Sequence, residues 1–398
     1  MPFNMVYHGT DPELFVFNKQ DELVPAGEVM SRFLEVAERI EDGNKVKVAD
    51  SWYRLSYDHV PYQNKQIPVP VLSSMVYDTK LVVDGAALEF TTKPYSCRNH
   101  VMSQVHSQIT RLNYLVKAAN PEWDLVITPA VLLDEEQLEA LPPEARVFGC
   151  SPDESIYSGM EECPVVDATN IPIRSAGGHI HSKFYRLGHS VLGEYFEAPN
   201  AEFQWYMANA TRLVVMFDRI VGILLTAMTG GSLESIRRGI YGQAGKFRLQ
   251  RSYQGIEYRT PSSSYFSHPI LVNTVMLASQ VANNVVLEES IYDAVSALAP
   301  IEDVVRIIND SETDRAMDLT NKTIQLLAKF NSLSNPIQFS NRYYHQLPEF
   351  LRIPEYFFNK GGIANVFSPQ EAVTNWTQYE TAGYGLLPNI SQFDEYFS

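Results

Sequence analysis

The sequence contains little cysteine and no paired cysteine motif. Its three cysteines, Cys97, Cys150 and Cys163, are scattered over 398 residues, so neither a disulfide framework nor a CxxC zinc ribbon is supported. A reducing compartment, the cytoplasm, is therefore the expected location. The first residues, Met1 to Met5, lack the cationic start and apolar stretch of a signal peptide, and we expect none.

Positive charge is also scarce. The chain carries 31 Lys and Arg against 47 Asp and Glu, which gives a formal net charge of −16. Phosphate groups would repel such a protein, so broad binding to nucleic acid or to an anionic membrane is not expected. A local basic pocket for a small anion stays compatible with this balance.

No apolar run reaches the about 18 residues that a membrane span needs. The most apolar segment, Leu213 to Met228, has Asp218 and Arg219 in its middle. We interpret it as a buried helix whose ion pair faces a pocket or another buried partner. The motifs GxGxxG, GxxxxGK[ST], HExxH and GxSxG are absent as well, which removes support for the common dinucleotide, P-loop, zinc-protease and serine-hydrolase classes.

What is present predicts a globular α+β protein. Apolar residues make up 45% of the chain and aromatic residues 12%, enough to build a core. Short β-type runs predict strands at Leu14–Phe17, Lys45–Val48, Ile67–Val71, Leu81–Val83, Leu125–Ile127, Arg146–Phe148, Gly178–Tyr185 and Ile256–Arg259. Apolar periodicity predicts helices at Glu28–Ile40, Asn99–Ala118, Ala201–Met228, Leu271–Val286, Ile301–Ile308 and Arg315–Phe330. Because these elements intermix without a βαβ rhythm, a mainly antiparallel sheet is the expected class.

Two pairs of chemically active residues have the spacing of a β-strand face. His179 and His181 follow Gly177 and Gly178, and a period of two places both imidazoles on one side of a strand. Glu257 and Arg259 have the same spacing. The alternatives are a solvated strand face for the histidines and a surface ion pair for Glu257 and Arg259.

Cations are concentrated in one stretch. Residues 237–259 contain six cations and one acid, together with four glycines that expose the backbone. Guanidinium groups fork onto oxyanions, so this stretch indicates a phosphate ligand; a solvated loop offset by acids elsewhere is the alternative. Carboxylates on separate strands, Glu13, Glu89 and Glu257, together with His179 would supply the ligands that a magnesium-type cation prefers. Asp11 points the same way as Glu13, and Asp84 is a weaker candidate beside Glu89; the alternative for each acid taken singly is a structural role.

Six motifs in order carry a resemblance to a known family. They are His8–Phe15, Asp84–Phe90, Phe148–Asp153, Arg174–His181, Arg237–Arg248 and Gly255–Pro261. Together they resemble those of the glutamine-synthetase-like carboxylate–amine ligases, most of all the branch encoded by tailed phages. The resemblance covers about residues 6 to 270, and we find none beyond about residue 275.

The resemblance implies a fold and a set of site residues. The fold would be a curved antiparallel sheet, a half-barrel with packed helices, holding ATP and Mg²⁺ or Mn²⁺ on its inner face. Metal ligands would be Glu13, Glu89, His179 and Glu257. Catalytic residues would be His179, Glu257 and Arg259. Nucleotide-binding residues would be His181, Arg238, Lys246 and Arg248, and substrate-binding residues Asp153 and Arg174.

The expected function follows from the same resemblance. It is ATP-dependent formation of an amide between a carboxylate and a primary amine through an acyl phosphate, in the host cytoplasm if the chain is phage-encoded. A phosphotransferase of the same fold, or an inactive binding or virion-associated protein, is the alternative. The substrates would be small molecules or peptides, and a homo-oligomer is compatible. We expect a catalytic domain at residues 1–275 and a helical and irregular region at 276–398 packed on it.

Overall fold

The structure is a computed structural model that describes residues 3–39, 44–63, 65–75, 79–148, 153–159, 161–163, 168–186, 201–250, 255–332 and 352–377. The strands in these ranges are β1 (Phe3–Phe17), β2 (Leu23–Val24), β3 (Glu38–Arg39), β4 (Lys45–Val48), β5 (Ser51–Tyr62), β6 (Lys65–Ser74), β7 (Lys80–Asp84), β8 (Ala87–Phe90), β9 (Asp124–Val126), β10 (Ala130–Leu132), β11 (Glu154–Ser155), β12 (Glu161–Glu162), β13 (Ile173–Ser175), β14 (Gly178–Arg186), β15 (Lys246–Gln250) and β16 (Gly255–Tyr258).

The helices in the same ranges are α1 (Ala26–Glu35), α2 (Arg98–Ala119), α3 (Glu135–Ala140), α4 (Ala201–Phe217), α5 (Ile223–Thr229), α6 (Ser232–Arg238), α7 (Pro269–Val286), α8 (Glu289–Ser296), α9 (Ile301–Asn309), α10 (Thr313–Ser332), α11 (Arg352–Asn359) and α12 (Pro369–Thr377). A π-helical turn, Asp218–Gly222, joins α4 to α5. Short 3-10 helices lie at Pro143–Arg146, Ile156–Ser158, Ser263–Ser267 and Ile363–Asn365.

A 14-stranded sheet organises the described part of the chain. Its order is β12-β11-β15-β16-β14-β1-β8-β7-β6-β5-β4-β3, with β2 and β9 also paired to β1. Every strand pair recorded in this sheet is antiparallel. The predicted α+β class with a mainly antiparallel sheet is thus confirmed.

The long strand β1 separates the main core from a polar face. Alternation sends Leu14 and Val16 into the main hydrophobic core, which also contains residues of α2, α4 and α7. Asp11 and Glu13 point to the opposite face, where Phe15 packs in a smaller apolar cluster. One sheet therefore has a helix-covered side and a side on which buried charges collect.

Helices after residue 200 complete the main core. The segment Leu213 to Met228 is helical and buried, as predicted, with the π-helical turn in its middle. Its two charged residues have separate partners, because neighbours along a helix point in different directions: Asp218 accepts hydrogen bonds from tyrosines, and Arg219 donates to the Ala299 carbonyl at 2.9 Å. No single described helix is long and apolar enough to cross a membrane, although α7 and α8, bent by 115°, pass that test as a pair.

Some predicted elements differ from the structure. The strand expected at Arg146–Phe148 is wrong: Pro143–Arg146 forms a 3-10 helix, which Pro143 favours at its first position. Within the region expected to be helical and irregular, the described residues 352–377 contain α11 and α12. The expected boundary between residues 275 and 276 falls inside α7, and the division into two domains stays a prediction.

Candidate active site

Strand register brings three predicted metal ligands, Glu13, Glu89 and His179, and the acid Asp11 onto one face of the sheet. Across β1 and β14, Asp11 lies opposite His179. Across β1 and β8, Glu13 lies opposite Glu89. Directly opposed residues of antiparallel strands project to the same side, so all four side chains share one face of the sheet.

The same register extends the polar face to β15 and β16. His181 lies opposite Glu257, and Glu257 lies opposite Arg248. The strand order β15-β16-β14-β1-β8 therefore aligns cations, imidazoles and acids in one row. The predicted i, i+2 pairs His179/His181 and Asp11/Glu13 fit into this row because each pair occupies one strand face.

Asp11, His179 and Glu257 form the first of two candidate metal clusters, with one ligand atom from each lying within 4.8 Å of the others. The Nδ1 atom of His179 is 3.3 Å from Oδ1 of Asp11 and 3.5 Å from Oε1 of Glu257. The other Asp11 oxygen is 2.8 Å from Nε2 of His181. Two carboxylates and one imidazole thus converge in a site that is almost fully buried.

Glu13, Asp84 and Glu89 form the second cluster, with the same 4.8 Å limit on their ligand atoms. The hairpin between β7 and β8 has a two-residue loop whose first residue, Gly85, has φ +55°, and it sets Asp84 on the same face as Glu89. The backbone N–H of Gly177 donates to Oε2 of Glu13 at 2.6 Å. Three acids from three strands therefore meet beside the first cluster.

The pKa values of the acids are shifted in opposite directions in the two clusters. Burial, together with Asp84 and Asp11, raises the pKa of Glu13 well above its usual value, and burial with the other acids raises the pKa of Glu89. Burial opposes ionisation of Asp11 and Glu257 too, but the two histidines lower the pKa of Asp11 and Arg259 lowers the pKa of Glu257. Ionisation is therefore opposed at the second cluster and supported by the histidines and Arg259 at the first.

A divalent cation fits this donor set. Oε1 of Glu13 is buried, has no hydrogen-bond partner among the described residues, and is 3.8 Å from Nε2 of His179. A buried carboxylate oxygen without a donor is costly, and cation coordination would satisfy it. Carboxylate oxygens at both clusters suit Mg²⁺ or Mn²⁺, with one imidazole at the first.

Cations border the clusters on the side of β15 and β16. Arg259 donates both to Oε1 of Glu257 and to the hydroxyl of Tyr241. Arg248 is 3.5 Å from the second Glu257 oxygen, and the amide of Gln250 donates to that same oxygen. The Arg259 guanidinium, only 1% exposed, is consequently held in one orientation beside the first cluster.

Tyr241 connects the arginines to the histidine. Its hydroxyl lies 3.1 Å from Nε2 of His179, and its ring lies 5.3 Å from the Arg237 guanidinium and 5.5 Å from that of Arg259. Two guanidinium groups near one electron-rich ring are cation–π contacts that keep the ring in place. Arg237 is anchored in turn by the carbonyls of residues 260 and 261.

The remaining predicted site residues, Lys246, Arg238 and Arg174, have contacts outside the two clusters. Lys246 pairs with Asp153 at 3.7 Å at the end of β15, on the cationic side. Arg238 is buried, donates to the Gly242 carbonyl at 3.3 Å, and lies near Asp218 on the helix-covered side. Arg174 is buried against backbone carbonyls. Of the predicted Phe148–Asp153 motif, residues 149–152 lie outside the described residues, as does Arg251 of the cationic stretch.

Four residues of this site were not among the predicted ligands or catalytic groups: Asp11, Asp84, Tyr241 and Arg237. The i, i+2 spacing of Asp11 and Glu13 could have indicated the first, because this spacing places both carboxylates on one face of a strand. Tyr241 lies in a glycine-rich loop where no periodicity indicates direction. Asp84, weighed only as a weak candidate, belongs to the second cluster.

Comparison with known proteins gives a family match over part of the chain and remote structural likenesses. Residues 206–334 match the family described as Phage phiEco32-like COOH.NH2 ligase-type 2. The predicted resemblance to phage carboxylate–amine ligases is confirmed for that part of the chain, and it continues past residue 275, where we expected it to end. Curated protein sequences give no match.

The structural likenesses are distant. One is the crystal structure of the complex between the prokaryotic ubiquitin-like protein Pup and its ligase PafA. The matching chain is 11% identical to this one, the match covers 93% of this chain and 67% of that chain, and the TM-score is 0.45. A bifunctional glutathione synthetase from Pasteurella multocida is 12% identical, with 95% and 51% covered and a TM-score of 0.41. This chain spans about half the length of the synthetase.

Proposed function

We propose that this protein is an ATP-dependent ligase that joins a carboxylate to a primary amine. The main support is the convergence of two acidic clusters, Asp11/His179/Glu257 and Glu13/Asp84/Glu89, on one sheet face with arginines beside them. The match of residues 206–334 to a COOH.NH2 ligase family supports the same class.

Each cluster would hold Mg²⁺ or Mn²⁺, and these ions, when bound, would neutralise the phosphate oxygens of ATP. The protein's own part is to fix the ligands before ATP arrives. The Gly177 N–H holds one Glu13 oxygen, and His181 holds one Asp11 oxygen, so neither carboxylate is free to rotate. A site fixed in advance needs little reorganisation during reaction.

Arg259 and Arg248 would act on the phosphoryl group. Both guanidiniums contact Glu257, and Tyr241 holds Arg259 from the other side. A guanidinium held in this way stabilises the charge that spreads over the transferred phosphoryl oxygens. Lys246, paired with Asp153, would meet the outer phosphates of the nucleotide.

The reaction proceeds in two displacements. A carboxylate oxygen attacks the γ-phosphorus, the bond to ADP breaks, and an acyl phosphate forms. The amine nitrogen then attacks the carbonyl carbon, the bond to phosphate breaks, and the nitrogen loses a proton. The products are an amide, ADP and inorganic phosphate, and no covalent enzyme intermediate is needed. The substrates would be small molecules or peptides; a cytoplasmic location, where ATP is available, and a homo-oligomeric state are part of the proposal.

Hydroxylamine trapping tests this function. The protein is incubated with ATP, Mg²⁺, hydroxylamine and a panel of amino acids, dicarboxylates and peptides, and both hydroxamate and ADP are measured. We expect hydroxamate with at least one acid, and a loss of about 10²-fold or more in Arg259→Lys, because a lysine cannot contact Glu257 and Tyr241 in the same way. Arg315→Lys, in the exposed pair with Asp303, is the matched control.

The other outcomes contradict the proposal in distinguishable ways. ADP formation with phosphate retained on the acceptor would identify a phosphotransferase instead of a ligase. Absence of both ADP and hydroxamate across the panel, with nucleotide binding unaffected by Glu257→Gln, would indicate a binding protein.

A further inference from the structure

A cavity lies next to the second acidic cluster. Glu13 and Asp84 line one part of it, and Val147, Phe148 and Tyr241 give it apolar and aromatic walls. The rings of Phe148 and Tyr241 are stacked at 6.4 Å with 23° between their planes. Its charged and aromatic lining suits a small polar ligand.

Arg174 lines the same cavity and has part of its guanidinium unused. Nε donates to the Ala145 carbonyl at 2.7 Å, and Nη1 donates to the carbonyls of Ile171 and Ile173 at 2.8 and 2.7 Å. Nη2 is buried and has no hydrogen-bond partner among the described residues. Three contacts therefore fix the guanidinium and leave one NH₂ group to receive a ligand.

The charge of Arg174 is not balanced by the described part of the protein. The side chain is 1% exposed, and no described carboxylate lies within ion-pair distance of it. Burial, together with Arg146, lowers its pKa to about 10. A buried cation that contacts only neutral carbonyls is costly, and a bound anion would offset that cost.

We propose that Arg174 anchors a carboxylate group of a small substrate in this cavity, with the substrate's reacting end extending toward Glu13 and Asp84. Its role as a substrate site rests on the proposed ligase function, whereas carboxylate binding itself does not. A single NH₂ group can make one contact, which a carboxylate oxygen can accept. The nearby acids disfavour an anion that concentrates two charges on one group, as phosphate does.

The carboxylate has two possible sources. The acid substrate would carry it as a second carboxylate, as succinate and glutarate do. The amine substrate would carry it beside its amino group, as β-alanine and γ-aminobutyrate do. In both cases the chemistry at Arg174 is the same, so the two sources are separated by which probe binds and is consumed.

Calorimetric titration of the full chain with these four probes, in EDTA and without ATP, tests the inference. We expect at least one probe to bind, and its matched amide, such as succinamide for succinate, to bind at least tenfold more weakly. Arg174→Gln and Arg174→Lys should each weaken binding at least tenfold. Arg146→Gln is the control, because Arg146 donates to the Leu141 carbonyl and does not line the cavity.

A second variant guards against misfolding. Arg174→Gln frees three carbonyls, so its thermal unfolding is measured alongside. Val147→Phe fills the cavity without touching the arginine and should also abolish binding. The inference is overturned if no probe binds the wild-type protein, if binding survives in Arg174→Gln or in Val147→Phe, or if inorganic phosphate binds while the carboxylates do not.

Turnover separates this inference from the proposed function. ADP formation in which neither the acid nor the amine shows a changed KM in Arg174→Lys would leave the ligase function in place and overturn the anchor. Arg174-dependent carboxylate binding without any ADP formation would retain the anchor and remove the ligase function.

Discussion

Glu13 and Glu89 face each other directly across β1 and β8, two carboxylates in the position where a sheet usually places attractive or apolar pairs. Glu13 is 4% exposed, and the pKa of both groups is raised by burial and by neighbouring acids. This opposition makes the fold less stable on its own than it could be. Such a cost is expected where ligand-binding groups are held ready before the ligand binds.

Glu89→Gln is therefore predicted to stabilise the metal-free protein. Removing one of two opposed charges should raise the free energy of unfolding in EDTA by about 0.5–1 kcal/mol. It should also reduce the rise in melting temperature that Mg²⁺ causes, because one ligand of the second cluster is lost. Thermal unfolding with EDTA and with Mg²⁺ measures both. Glu139→Gln, an exposed glutamate, should change neither, and a destabilised Glu89→Gln would contradict the prediction.

Gly177→Ala is predicted to damage the site without breaking the strands. A Cβ at this position would collide with the ring of His179 and lie 2.9 Å from Oε1 of Glu13. Both neighbours are proposed metal ligands, so Mg²⁺-dependent stabilisation and hydroxamate formation should fall about tenfold or more. Gly9→Ala is the matched control on β1, since its added methyl would meet nothing closer than 3.4 Å. Equal effects of the two substitutions would show that the position of the methyl does not matter.

Tyr258→Phe is predicted to destabilise the fold behind the site. The hydroxyls of Tyr258 and Tyr157 donate to the two oxygens of Asp218 at 2.6 and 2.7 Å, and burial raises the pKa of that acid to about 6. Losing one donor to a fully buried carboxyl should cost about 1–3 kcal/mol in the free energy of unfolding, measured in urea. Tyr57→Phe, at an exposed tyrosine, should cost nothing measurable, and a neutral Tyr258→Phe would show that the hydrogen bond contributes little.

His268→Asn is predicted to reduce acid sensitivity. Burial lowers the pKa of His268 from 6.5 to about 4, so the folded state resists protonation that the unfolded chain accepts. The free energy of unfolding should thus fall as the pH drops from 6.5 toward 4, by at most about 1.4 kcal/mol per unit from this residue, and should be unaffected by it above that window.

An asparagine keeps the helix cap while removing the titration. Nδ1 of His268 accepts from the N–H of Ile270 at 3.1 Å at the start of α7, and an asparagine oxygen can accept there as well. Urea unfolding at pH 7 and at pH 4.5 should show a smaller difference for His268→Asn than for the wild type. His59→Asn, at an exposed histidine, is the control; identical pH slopes in wild type and His268→Asn would contradict the assignment.

The sequence predicts which side chains share one face of a strand better than it predicts which residues pair across two strands. Spacing alone placed His179 with His181 and Glu257 with Arg259, because alternation along a strand is a local property. It could not place Glu13 opposite Glu89, since register across a sheet depends on long-range packing. The order of the family motifs supplied that information only as a resemblance.

Residues in loops and turns escaped prediction for a related reason. Tyr241 reaches the site from the segment after α6, where glycines permit many backbone directions. Arg174 was expected to bind substrate, but nothing in the sequence shows that three backbone carbonyls hold its guanidinium. The β-type residues at Arg146–Phe148 predicted a strand that does not form, because the prolines just before them favour a helical turn.

Residues that pair across β1 are far apart along the chain, and this separation affects when the polar face can form during synthesis. Asp11 and its partner His181 are 170 residues apart, and Glu257 and Arg259 are added later still. A nascent chain thus carries Asp11 through the synthesis of 170 further residues before its partner His181 exists. Contacts of such separation form slowly, so the polar face is expected to assemble only after the ribosome has released the strands that complete it.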